Sequence, residues 1–99
     1  MITTDTLEAA TIAAFTARHE GRPSYTWEGA AFPTQQRWRM VVWDVLTGKI
    51  TSAEAMRWRY VSDFTTKTWR ETPAADRFLW MRAYLACNRA MARAELEAA

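Results

Sequence analysis

The chain has one cysteine, one histidine, three glycines and three prolines in 99 residues. Each scarcity excludes something. A single cysteine, Cys87, permits no internal disulfide and no thiolate cage for zinc. A single histidine, His19, permits no histidine pair around a metal, so neither metal nor cofactor is expected. Three glycines leave no glycine-rich loop to cradle a phosphate. No apolar run approaches the ~18 residues of a membrane span. The opening stretch MITTDTLEAATIAAF lacks a basic region and carries Asp5 and Glu8, unlike a secretory leader. A soluble, cytoplasmic protein without membrane association is expected. Excess charge of one sign is scarce too, with 13 basic against 11 acidic residues and a net charge of +2. That is far from the dense basic stripe of a nucleic-acid binder, so nucleic acid is not the expected partner.

What the chain does have is tryptophan, six in all. A chain this short holds one core and reads as one domain, 1–99. Such a core is thin. One to three of the indoles should stand partly exposed, where tryptophan commonly serves interfaces and ligands. Pairing of two copies into a homodimer is another way to cover surplus indole surface.

Periodicity predicts four helices and an all-α fold. The first covers 5–18, opened by Asp5 with Glu8 at capping-box spacing, with Leu7, Ala10, Thr11, Ala14 and Phe15 inward. The second covers 33–47, with Pro33 in its first turn and Gly48 just past its end. Its buried face is Trp38, Val41, Val42, Val45 and Leu46; Trp43 lies at the edge, while Arg39 and Asp44 point away. The third covers 52–64, capped by Thr51 or Ser52, with Ala53, Met56, Tyr60 and Phe64 along one face. Its second half, WRYVSDFTT, is rich enough in aromatic and β-branched residues to be extended instead. The fourth runs from Pro73 to about Glu97, with Thr72 as N-cap. Trp80, Tyr84, Cys87 and Met91 recur along it, widened by Phe78, Met81 and Leu85, while Arg82, Arg89 and Arg93 share another face. Between the first two helices, residues 20–32 carry Tyr25, Trp27 and Phe32, which either fold back on the core or face a partner.

The chain also echoes itself. Thr26-Trp27, Pro33 and Arg37-Trp38 parallel Thr68-Trp69, Pro73 and Arg77-Phe78, with the same spacing from Pro to Arg. The expected architecture is therefore a compact four-helix domain of two pseudo-repeated helix-loop-helix halves, about 5–48 and 52–97, packed across a pseudo-twofold.

An ordered set of residues extends from His19 to Phe78: His19-Glu20, Trp27-Glu28, Pro33, Gln36-Arg37, Trp58-Arg59-Tyr60, Asp63, Lys67-Thr68, and Pro73 with Asp76-Arg77-Phe78. This order resembles the ryanodine-receptor-type (RyR) repeat domain in the small form found in bacteria and their phages. The chain departs from that pattern at Val61 and Ser62, where the family has glycines, and in lacking the His-Pro after the lysine. The resemblance implies an α-helical module of two related halves without catalysis of its own. In bacteria such modules look like sensors of small, nucleotide-derived ligands; in phages they look like agents against host defence.

The residues themselves point to binding rather than catalysis. Arg57-Trp58-Arg59-Tyr60, Lys67 and Trp69-Arg70 interleave rings and cations. Rings stack on bases, and cations hold phosphates. The candidate ligand-binding residues are Tyr25, Trp27, Arg37, Trp58, Arg59, Tyr60, Lys67, Trp69 and Arg77. The same tryptophans read equally as core with arginine stems packed on them. Arg37 and Arg77 read equally as ties between loop and helix, paired with Glu28 and Glu71. Cys87 reads as a buried structural thiol, and His19 as a helix-end residue favoured by the dipole. Two functions follow. One is a non-enzymatic module that binds or sequesters a nucleotide-type ligand, as a defence-signal antagonist would. The other is an inhibitor that docks on a host defence complex through exposed tryptophans, in the manner of an anti-CRISPR protein.

Overall fold

The computed structural model describes residues 2–98, so two positions of the expected 1–99 domain lie outside the described residues. Four helices follow one another: α1 (Thr4–Arg18), α2 (Phe32–Leu46), α3 (Ala53–Val61) and α4 (Ala74–Ala98). The described residues contain no strand. This is the all-α, four-helix fold that the periodicity predicts.

Local chemistry sets the ends. Thr3, not Asp5, caps α1, its hydroxyl accepting from the Thr6 N–H at 3.0 Å. Glu8 is thereby released from the expected capping box and reaches Arg39 instead. Gly48 follows α2 at φ +82°, in the left-handed region that a Cβ disfavours. Ser52, not Thr51, caps α3 through the Ala55 N–H. α3 stops at Val61, and residues 62–64 form a turn, so WRYVSDFTT is neither a full helix nor a strand. No N–H of the first turn of α4 donates to the Thr72 hydroxyl, which donates back to the Thr68 carbonyl at 2.9 Å. The Pro73 carbonyl instead accepts from the Arg77 N–H at 3.0 Å, starting the ladder.

The core is an aromatic cluster to which every helix contributes one ring. Phe15 of α1 lies 5.8 Å from Trp38 of α2, edge to face. Trp38 stacks on Trp80 of α4 at 5.6 Å and 16°, and Tyr60 of α3 lies 4.8 Å from Trp38 and 5.7 Å from Trp80. Trp38 and Trp80 are almost fully buried. Hiding ~150–250 Å² of indole is worth roughly 4–6 kcal/mol per ring before entropy is charged against it. Val41, Val42, Val45, Met56, Ala10, Ala14, Ala83 and Cys87 fill the space around the rings. α1 packs along α4 more extensively than any other pair. Thus the dominant contact joins the first half of the chain to the second.

The six indoles divide as the thin core requires. Trp27, Trp38 and Trp80 are buried, Trp69 is half-buried, and Trp43 and Trp58 are exposed. Of the aromatic loop, Trp27 folds back while Tyr25 and Phe32 face solvent. Two expectations fail on α4 and α3. Phe78, Met81 and Leu85 do not widen the buried stripe but stand exposed, and so does Phe64. On α2, Arg39 and Asp44 are not idle, since Arg39 grips Glu8 and Asp44 accepts from Arg59.

Met56 is fully buried and Phe64 is 69% exposed. Met56→Ala should cost about 2–5 kcal/mol of unfolding free energy and Phe64→Ala within ~0.5 kcal/mol, read by urea denaturation. Burial pushes the Cys87 thiol up to about 12. It should therefore resist a thiol-reactive dye in the folded protein and react on unfolding.

Candidate functional site

One surface feature joins α3 to the loop before α4. The Ser52 cap fixes the register of α3 so that Arg57 turns inward and Trp58 turns out. Arg57, only 6% exposed, donates to the Lys67 carbonyl at 3.0 Å and pins the loop to the helix. The loop then closes on itself. The Thr68 N–H donates to the Glu71 carboxylate at 3.0 Å, and the Glu71 N–H donates to the Thr68 hydroxyl. The Thr68 backbone and hydroxyl bonds hold the Glu71 carboxyl below its ordinary value. Trp69, between these anchors, leans back against the core. Trp58 and Trp69 thereby line one groove of about 410 Å³ with Ser52, Glu54, Ala55, Arg57 and Thr68. Lys67 and Arg70 stand exposed on either side of Trp69 in the loop.

The other candidate residues are placed elsewhere. Arg37 donates to the Tyr60 carbonyl at 3.1 Å and to Asp63 at 3.0 Å, with its guanidinium 4.6 Å from the centre of the Phe64 ring. It pairs with Asp63 and not with the expected Glu28. Arg77 does not pair with Glu71; its Nε is buried without a protein hydrogen-bond partner. Arg59 reaches Asp44 at 3.3 Å. Tyr60 belongs to the aromatic cluster, and burial raises its phenol pKa. The Trp38 indole N–H lies near that phenol and favours its ionised form, but falls short of hydrogen-bond geometry. Trp27 is buried against Phe15, with the Arg39 guanidinium 5.2 Å from its ring centre.

Tyr25 helps to build a second feature. Its ring stacks on His19 at 5.3 Å and 14°, beneath the Arg22 guanidinium at 6.0 Å. The stack borders two cavities of about 450 Å³ each. One is lined by Ile12, Arg22, Trp27 and Glu28, the other by Phe15, Thr34 and Tyr60. Tyr25 and Tyr60 thus share a cavity, and Trp58 and Trp69 share a groove, but the two sets do not line one space. Of the groove's other lining residues, Arg57 enters the sequence reading only as part of the ring–cation run, and Ser52, Glu54, Ala55 and Thr68 are absent from the sequence-derived site. The register counted from a Ser52 cap, which puts Glu54 and Ala55 on the face of Trp58, is the signal that could have found those two; no helical period reaches Thr68 in the loop.

Among the described residues, no group of three or more His, Cys, Asp or Glu is placed to hold a metal ion, and no helix is long and apolar enough to cross a membrane. Comparison with protein-family models, with curated proteins and with solved structures finds no match to this chain.

His19 terminates α1, where burial is the largest influence on its titration. Its Nδ1 lies 2.9 Å from the Phe15 carbonyl, which can only accept, so Nδ1 carries the proton. Burial lowers its pKa from 6.5, the Phe15 bond opposes, and the Arg18 and Arg22 charges lower it further. The unfolded chain therefore takes up the proton first as pH falls through about 6.5. Stability associated with neutral His19 is complete above that value and declines below it. His19→Gln should lessen the drop in urea midpoint between pH ~7.5 and ~5.5.

Proposed function

We propose that the chain is a non-enzymatic binding module of RyR-like type that takes a nucleotide-type ligand in the groove between Trp58 and Trp69. The observation that carries this reading is the pairing of an exposed and a half-buried indole across one groove, with Arg57 in its lining. Indole faces stack on a base with little regard to its identity, and the Arg57 guanidinium, held on the Lys67 carbonyl, adds positive charge beneath the groove. Lys67 and Arg70 flank Trp69 and would neutralise further phosphates. The groove is large enough for a base and sugar, and it is shaped before any ligand arrives by the Arg57 and Thr68–Glu71 bonds. The residues that carry the RyR-like resemblance also meet locally, since Arg37 is bonded to both Tyr60 and Asp63. Retention of a host signalling nucleotide, rather than its conversion, is the role that fits such a site.

The test is tryptophan fluorescence and melting temperature against a panel of mono-, di- and cyclic nucleotides. Binding should quench emission and raise the melting temperature. Trp58→Ala should weaken it roughly 5- to 150-fold, the range for one lost stacking partner, without unfolding an exposed position. Trp43→Ala, outside the groove, should leave affinity unchanged. A flat response from folded protein removes the nucleotide reading. It would leave docking on a host protein, for which Trp43 beside exposed Met40 is the candidate contact.

A further inference from the structure

Helix α4 has two apolar faces. Trp80, Ala83 and Cys87 turn into the core. On the opposite side Phe78, Met81 and Leu85 are 56%, 49% and 48% exposed, and the face continues through exposed Ala92 to Leu96, which is 78% exposed. At 3.6 residues per turn these five fall within a sector of about 60°, roughly opposite the inward residues. The solvent side of a packed helix is ordinarily polar, and an apolar patch there, dense from Phe78 to Leu85 and resumed at Leu96 beyond Asn88 and Arg89, marks a surface that a neighbour covers.

The charges beside the stripe are one-sided. Arg82, Arg89 and Arg93, all exposed, border one edge; Asn88 and Glu95 border the other, where the one cation, Arg77 in line with Glu95, is partly buried. Arg82 is held in place by Glu20 at 3.0 Å and lies 5.8 Å from the centre of the Phe78 ring.

We propose that this face is a docking surface for an acidic amphipathic helix of a partner protein. Its apolar residues would cover Phe78, Met81, Leu85 and Leu96, and its carboxylates would meet Arg82, Arg89 and Arg93. Charge placement selects this occupant. A second copy laid antiparallel about a twofold sets the arginine row against itself. Laid parallel, it offers only Glu95 to three arginines. An anionic bilayer spreads negative charge along both edges of the stripe and meets Glu95 on one of them. A partner helix with acids on one flank matches a one-sided row, and guanidinium forks bind carboxylates in pairs. The 25 residues of α4 span about 37 Å, most of the molecule's 42 Å length, enough for several turns of a partner. No residue of this face lines the Trp58–Trp69 groove, so the proposal stands apart from any ligand bound there.

Two labelled helical peptides with one leucine pattern test it, one with glutamates on the flank and the other with lysines, titrated with the full chain by fluorescence anisotropy. The glutamate peptide should bind and the lysine peptide should not. Leu85→Glu and Arg89→Glu should each weaken binding by about tenfold or more, and so should ~0.5 M salt. Both substitutions lie at exposed positions and should leave the melting temperature in place. Failure of the glutamate peptide to bind, or equal binding of both peptides, overturns the proposal. So does a concentration-dependent dimer abolished by Leu85→Glu in sedimentation, which assigns the face to a second copy. Cosedimentation with phosphatidylserine vesicles, without peptide binding, overturns it in favour of a lipid surface.

Discussion

The fold depends on the stack of Trp38 on Trp80. These two rings join α2 to α4, Phe15 approaches from α1 and Tyr60 from α3, so one cluster fixes the mutual position of all four helices. Apart from Trp27, which packs on Phe15, the remaining core residues are aliphatic or flexible: alanines, valines, one isoleucine, one methionine and one cysteine. They close gaps around the rings and permit close approach, as the alanines of α1 and α4 do where those helices run together. The directional preferences of aromatic pairs, about 0.5–1.5 kcal/mol each beyond area burial, give this small core a specific geometry as well as mass.

Arginines finish the rim of the cluster. The Arg18 guanidinium lies 5.0 Å from the Trp80 ring centre, Arg39 caps Trp27, and Arg37 lies over Phe64 while holding Asp63. Burial lowers the Arg18 pKa, the nearby Asp76 charge opposing it, which is how a cation behaves when its solvent is partly replaced by an indole face. Arg57 serves the backbone of a loop, and Arg59 serves Asp44. Much of the basic charge is therefore committed within the molecule, to carboxylates, ring faces and a loop carbonyl. Flat, delocalised guanidinium suits these positions in a way that a lysine ammonium does not.

The helices were legible because their signals are local. The valine pattern of α2, Gly48 after it and the small-residue stripe of α1 each act over a few residues. The caps were less legible, since Thr3, Asp5, Thr51, Ser52 and Thr72 can all accept a bond and tertiary packing decides which one does. The candidate site was legible in part. Trp58 and Trp69 come together because a helix register and a nearby loop bring them there. Tyr25, Trp27, Arg59 and Tyr60 go elsewhere because rings and cations also build cores and ion pairs, and composition does not distinguish the two uses. The echo between Thr26-Trp27 and Thr68-Trp69 has a local counterpart. Each threonine hydroxyl accepts from the backbone N–H three residues on, Gly29 in one case and Glu71 in the other. The likeness ends in packing, because Trp38 is buried and its counterpart Phe78 is exposed.

The shortness of α3 has a consequence for how the groove behaves. Nine residues are too few to hold a helix alone in water, where about 12–15 are marginal. The segment owes its shape to Met56 and Tyr60 in the core and to the Arg57 bond across to the loop. The wall that presents Trp58 is thus the part of the chain with the least local reason to be folded. Exchange of its amide hydrogens would report opening of this wall separately from global unfolding. Anything seated between the two indoles would act first as a splint, stiffening this segment against its own fraying.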